Sequence, residues 1–287
     1  MKYGIQFPNS GGFFEDPKDV ANLARDAEKA GWDGFFVWDH LMLVRHPKEP
    51  FYDPWMLLSL VATNTKKIKL GPMVTPVPRR RPWVLARECT TLDHLSDGRA
   101  MLGVGLGAPD YEYANFGEDK NLKTRAQKLD EGLDIIQGLW SGEPFKYKGE
   151  HYQIRKTRFL PKPVNGSIPI FASCTYTPDF SIKKPIHRAM KYNGLIMAHY
   201  EYPLKQVEPN EVKEMVKYVN AHRNSNGPFE FFLNGISPEN LKERKNKMKQ
   251  YKEAGLTWWM EKIDAEYYEN SYDKICDKIV QGPPNIR

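Results

Sequence analysis

Cysteine is scarce in this chain. Cys89, Cys174 and Cys276 are the three present in 287 residues, odd in number, widely spaced and in no CxxC pair. That excludes a disulfide framework and a cysteine-built zinc site. Histidine supplies no metal motif: His40, His46 and His94 are scattered, and no HxH or HxxxH spacing occurs. No run approaches the roughly 20 apolar residues of a membrane-spanning helix. The opening Met1-Lys2-Tyr3-Gly4-Ile5 reads as a strand rather than a secretory apolar segment. A cytoplasmic protein without a membrane partner is the expectation. No linker-like shift in composition divides the chain, so residues 1–287 read as one domain.

Charge is present in both signs. The net charge is +6 and the pI about 9.0, yet the basic residues are not focused as a nucleic-acid surface requires. The densest run, Lys242 to Lys252, carries Glu243 and helical spacing, and reads as a solvated face. Nucleic acid is therefore not an expected partner. Arg79-Arg80-Arg81-Pro82-Trp83 is more informative, with Pro82 suited to the first turn of a helix. A phosphate-bearing ligand and an acidic partner subunit both fit those arginines. At 40% hydrophobic residues the chain has ample material for a core, which argues against disorder.

Two periods alternate along the chain. Short apolar runs at 2–8, 34–38, 68–74, 100–106, 168–172, 194–198, 229–233 and 256–260 predict strands. Between them, helices are predicted near 20–30, 53–64, 82–96, 124–140, 182–192, 211–224, 238–254 and 271–281. Val20, Leu23, Ala27 and Ala30 recur at three or four residues before Gly31 stops the first helix. Residues 142–166 break the rhythm with alternation around Lys148-Gly149, predicting a hairpin insertion. About eight strand-then-helix units with near-continuous apolar strands imply a parallel sheet covered on both faces. Of the open sheet and the closed cylinder, the length favours an α/β fold of the (β/α)8 TIM-barrel type.

Barrel ligands bind at the carboxyl ends of the strands. Those ends include Pro8-Asn9-Ser10, Asp39-His40, Met73-Val74-Thr75, Gly105-Leu106-Gly107, Ser173-Cys174-Thr175, Met197-Ala198-His199, Asn234-Gly235 and Glu261. Glycines there let a flat ring approach the main chain. Gly103-Val-Gly105-Leu-Gly107-Ala108 matches a dinucleotide fingerprint, but no helical period opens before about Thr124, so a pyrophosphate has no helix terminus to meet. A histidine at a barrel mouth can exchange a proton near neutral pH, making His40, with Asp39, the catalytic candidate. Ser173, Cys174 and Thr175 offer hydroxyls and free backbone N–H groups after a strand, fit for a phosphate or for a plain turn. Cys174 as a nucleophile lacks an evident base.

Taken together, AEKAGWDGFFVWDH (27–40), IKLGPMVTPVPRRRPWVLARECTTLDHLSDGRAMLGVGLG (68–107), LDEGLDIIQGLWSGEPFKYKGEHY (129–152), YKEAGLTWWME (251–261) and the terminal IVQGPPNIR resemble the luciferase-like flavin-dependent oxidoreductases, the group that includes bacterial luciferase and deazaflavin-dependent enzymes. The resemblance implies a bacterial-luciferase-like barrel holding FMN or a 5-deazaflavin (coenzyme F-420) at its carboxyl face. It places a non-proline cis peptide at about Met73-Val74, the ring near Met73, Val74, Thr75, Gly105 and Gly107, and the cofactor phosphate near Ser173, Cys174 and Thr175. Asp39-His40 matches the pair that lies beside ring and substrate in the deazaflavin dehydrogenases. Those enzymes carry an acidic residue directly after the fourth-strand glycines. Here the text is Ala108-Pro109-Asp110, leaving Asp110 or Glu112 to substitute. Redox chemistry on a small organic substrate is implied, with a flavin reductase as partner in the FMN version and a homodimer as the assembly. Three rivals stand beside this: a non-catalytic flavin-binding protein, a phosphate-handling barrel lyase needing a barrel-end lysine or paired carboxylates, and a nucleic-acid-binding module.

Overall fold

A computed structural model describes residues 1–10, 16–44, 48–201, 204–263 and 271–284. His46 and the last three residues of the terminal IVQGPPNIR lie outside that range. In chain order the elements are β1 (Lys2–Phe7), α1 (Asp19–Ala30), β2 (Gly34–Val37), α2 (Pro54–Asn64), β3 (Lys69–Pro72), β4 (Thr75–Pro76), α3 (Pro82–Leu95), β5 (Leu102–Gly105), α4 (Tyr111–Ala114), α5 (Leu122–Trp140), β6 (Phe145–Lys148), β7 (Gln153–Thr157), β8 (Ile170–Tyr176), α6 (Lys184–Ala189), β9 (Gly194–His199), α7 (Pro209–His222), β10 (Glu230–Gly235), α8 (Leu241–Glu253), β11 (Trp258–Lys262) and α9 (Tyr272–Gln281).

The parallel sheet runs β3-β2-β1-β11-β10-β9-β8-β5-β4. Its two ends, β3 and β4, are the halves of one interrupted strand, and a bridge from Leu70 to Ala100 carries β3 back to the β5 side. The result is an eight-stranded α/β barrel. The antiparallel pair β6–β7 stands apart as the hairpin between α5 and β8.

Period-2 alternation sorts the strand residues. Inward positions form a small plug of Phe36, Met73, Met101, Phe171, Ile196, Phe232, Trp258 and Met260. Phe232 and Trp258 stack at 5.2 Å, and Phe36 meets each of them edge-on. Outward positions such as Ile5, Phe35, Leu102, Cys174, Met197 and Trp259 join the helices in the larger core. Helix starts follow their sequence signals: Asp53 caps α2 by accepting from Trp55 and Met56 N–H, and Asn121 and Asn240 do the same for α5 and α8.

The closing seam is sterically tight. A Cβ placed on Gly71 would stand 1.8 Å from the Met101 carbonyl oxygen, a backbone atom that cannot rotate away. Gly71→Ala is therefore expected to destabilise the barrel by roughly 1–3 kcal/mol or more, read as a lowered denaturation midpoint. An unchanged midpoint would show that the seam relaxes at no cost.

Candidate active site at the barrel rim

Asp39 and His40 follow β2 after Trp38 and diverge. Asp39 is buried, and its carboxylate accepts from Arg79 Nη2 at 2.8 Å, from Arg80 Nε at 2.7 Å and Nη2 at 3.0 Å, and from the Thr75 hydroxyl. Burial works against the Arg80 charge, but Asp39, Glu88 and Asp53 outweigh it and hold the guanidinium above its ordinary range. The arginines read as open to a phosphate or a partner subunit are thus committed to Asp39, with Arg80 also near Glu88 at 3.4 Å. Arg81 alone is exposed, as the residue preceding α3. Thr75, named for the cofactor, turns its hydroxyl to Asp39.

His40 is held from three directions. Asn9, fully buried after β1, donates to the His40 carbonyl at 2.7 Å and accepts from its N–H at 3.1 Å. The ring edge meets Trp38 at 5.7 Å between centroids. Glu112 on α4 places Oε1 3.1 Å from His40 Nδ1. Between the two acidic residues weighed from sequence, Asp110 pairs instead with Arg125 at 2.6 Å. Lys262, at the end of β11, lies over the Trp38 ring at 5.5 Å. The last strand runs on past Glu261, so a lysine does stand at this end of the barrel.

The Met73–Val74 peptide is cis, at the position the resemblance gives. Met73 drops into the interior plug while its carbonyl accepts from Gln6 Nε2, and Gln6 in turn accepts from Asn234 Nδ2 at 3.1 Å. Val74, Gly105 and Ser173 stand together: a side chain at Gly105 would come within 3.0 Å of Val74 Cγ2 and 3.6 Å of Ser173 Cβ. The missing side chain lets Val74 and Ser173 close in on bare Gly105 main chain. Gly107 plays another part. With φ at +81° it turns the chain, and a Cβ placed there would stand 2.4 Å from the Tyr113 hydroxyl and 2.8 Å from Pro76 Cβ. Tyr113 also donates to the Leu106 carbonyl at 2.7 Å.

Two expectations change here. Residues 173–175 are not in a loop, because β8 continues to Tyr176 in register with β9 through Ser173, Cys174 and Thr175. Ser173 and Thr175 are half-buried on the inward face, whereas Cys174 is buried in the helix-facing core. Burial pushes its thiol up to about 12, which removes it as a nucleophile. A maleimide at about pH 8 is expected to leave Cys174 unlabelled until the protein is unfolded; labelling of the native chain would place this side chain at the surface. Secondly, the turn after Gly107 holds a one-turn helix, α4, ahead of α5. No helix begins directly after the glycines, as expected, but the short α4 carries Glu112 to His40.

Glu261 and His199, at two other strand ends, face outward. Glu261 is enclosed by Ser237, Trp259 Nε1 and Lys278 Nζ, the last at 2.9 Å. His199 is buried with Nδ1 accepting from Glu201 N–H. Among the described residues no group of three His, Cys, Asp or Glu is placed to hold a metal, and no helix is long and apolar enough to cross a membrane.

The chain is thus an eight-stranded parallel barrel with an interrupted third strand and a framed histidine at its carboxyl end. Residues 3–179 match the family described as luciferase-like monooxygenase, and the chain belongs to that family. The F420-dependent glucose-6-phosphate dehydrogenase of Amycolatopsis mediterranei (strain U-32) is 34% identical over 151 residues, covering 51% of this chain and 45% of that protein. The enzyme of that name from Nakamurella multipartita is 35% identical over 158 residues, with 54% and 46% covered. The chain thus spans about half the length of these curated relatives. An F420-dependent secondary alcohol dehydrogenase, solved with an F420-acetone adduct, superposes with a TM-score of 0.75 over 97% of this chain and 98% of that one, at 18% identity. The F420-dependent tetrahydromethanopterin reductase of Methanopyrus kandleri gives 0.71 over 100% and 99%, also at 18% identity. At that identity the likeness is one of fold.

Proposed function

We propose that this protein is a flavin-type oxidoreductase that binds a tricyclic redox cofactor at the barrel rim and acts on a small organic substrate. The observation that carries the reading is the framed His40 after β2 next to the cis Met73–Val74 peptide after β3, the strand paired with β2. The residues suit such a group: bare main chain at Gly105 between Val74 and Ser173, an inward hydroxyl pair at Ser173 and Thr175, and an aromatic ring at Trp38. Val74 and Gly105 would take the ring, with Met73 backing it from below. Ser173 and Thr175 would hold the polar side chain of the cofactor by their hydroxyls, and Cys174 by its backbone alone. When bound, the cofactor supplies the two-electron chemistry.

The protein's share is positioning and proton handling. His40 exchanges a proton with the substrate at Nε2, while Asp39, locked to Arg79 and Arg80, fixes the segment that carries it. The deazaflavin is the first candidate, since both curated relatives are named for F420. FMN with oxygen is the second reading, favoured by the family's description as monooxygenases, and it alone calls for a reductase partner. A homodimer in the cytoplasm is part of the proposal, the dimer being readable by sedimentation.

Parallel anaerobic titrations of the protein with FMN and with F420 test the reading. Saturable binding of one of them, followed by turnover with a donor and acceptor pair, is expected. Binding without turnover would favour a flavin carrier. Binding of neither would end the redox reading.

A further inference from the structure

We propose that Glu112 is a positioning residue that sets the tautomer of His40, keeping the ring proton on Nδ1 and leaving Nε2 as the proton acceptor at the rim. The functional use of that tautomer rests on the redox reading above; the tautomer itself does not.

Glu112 Oε1 accepts from Leu41 N–H at 2.7 Å and from Met42 N–H at 3.2 Å, and the same oxygen lies 3.1 Å from His40 Nδ1. An oxygen already taking two backbone donors is an acceptor, so Nδ1 must be the donor across the third contact. A neutral imidazole with hydrogen on Nδ1 has its lone pair on Nε2. Among the described residues the His40 ring makes its hydrogen bond at Nδ1, and the side chain is partly exposed. The Glu112 side chain is 1% exposed and that of His40 22%, so the carboxylate sits behind the ring, away from water, while the imidazole reaches the opening. Proton uptake at Nε2 gives an imidazolium facing that carboxylate.

The surrounding contacts make the arrangement rigid. Three consecutive residues of α4 tie it down: Tyr111 accepts from Val44 N–H at 3.1 Å, Glu112 takes residues 40–42, and Tyr113 donates to the Leu106 carbonyl at 2.7 Å. Asn9 fixes the His40 backbone from the opposite side. The ring is thus oriented by two elements distant in sequence, and the turn after β5 is coupled to the segment after β2. Asp110, the nearer acidic residue in sequence to the fourth-strand glycines, is withdrawn by Arg125.

A solely structural role, capping the Leu41 and Met42 amides, makes a different forecast from a tautomer-setting one. The test is 15N NMR of the histidine-labelled full chain without cofactor, at about pH 8 where an ordinary imidazole is neutral. The His40 signals are assigned by their loss in His40→Asn. The unaltered protein is expected to show Nδ1 protonated and Nε2 bare. Glu112→Gln, whose amide oxygen can still accept all three donors, is expected to retain that state. Glu112→Met is expected to revert to the Nε2–H form that free histidine favours, and to lose turnover roughly tenfold or more with cofactor affinity unchanged. An Nε2–H signal in the unaltered protein, or an Nδ1–H signal persisting in Glu112→Met, would overturn the proposal. Because the spectra need no cofactor, a protein with the expected tautomer and no redox activity would sink the functional reading and leave this inference standing.

Discussion

Turnover of His40→Ala is expected to fall by roughly 10²–10⁴-fold, the range that a positioned acid–base group contributes. Affinity for the cofactor is expected to stay within a fewfold of the unaltered protein. The two effects separate because His40 meets Trp38, Asn9 and Glu112, while the cofactor ring is assigned to Val74, Gly105 and Ser173. Asn9 grips the main chain at residue 40, through its N–H and its carbonyl, so truncating the side chain leaves the segment in place. Steady-state kinetics with a parallel binding titration read both numbers. Unchanged turnover would remove His40 from proton transfer, and a matching collapse of affinity would make it a binding residue instead.

The second large effect is on stability. Asp39→Ala is expected to cost roughly 3–5 kcal/mol, the penalty for stripping the partner from a buried ion pair. Here one carboxylate, 1% exposed, serves two guanidiniums whose side chains are 6% and 17% exposed. Its loss leaves Arg79 and Arg80 facing each other, with Glu88 and Asp53 near the second. At roughly 2–4 °C per kcal/mol for a large domain, Tm falls on the order of 10 °C. Asp39→Asn keeps the shape and loses the charge, so it separates packing from electrostatics. A calorimetric Tm for either variant equal to that of the unaltered chain would show that the arginines find other partners.

The barrel was legible in the sequence because each of its parts has a local signature. Near-continuous apolar strands alternate with helices closed by Gly31 or opened by Asp53-Pro54, and the hairpin at 145–157 announces itself by alternation around Lys148-Gly149. Errors fell at strand ends. β8 was expected to stop at Ala172 but extends to Tyr176, because Ser173 and Thr175 alternate with buried Cys174 and Tyr176 and so continue the pleat. A run of hydroxyls resembles a turn when read as composition and a strand when read by period.

The site was legible as positions and not as partners. Met73-Val74, Gly105 and His40 come from their places at the ends of strands. What could not be read is which way neighbouring side chains turn: Asp39 to the arginines, His40 to Glu112, Cys174 to the helices. The first two of these pairings join residues 40 to 72 apart in sequence and leave no spacing signal. Gln6 did carry one. A lone amide at an inward position of an otherwise apolar strand implies a buried polar partner, and the partners prove to be the Met73 carbonyl and Asn234. Lys262 was missed because the last strand was expected to finish at Met260, two residues short of its end.

Crystals grown with whichever of F420 and FMN binds more tightly bear on all of this most directly. Density for the ring is expected against Val74 and Gly105, with Ser173 toward its side chain and His40 at its edge. A saturated protein whose rim holds no ring, the cofactor lying elsewhere on the barrel, would contradict the assignment of this end of the cylinder as a redox site.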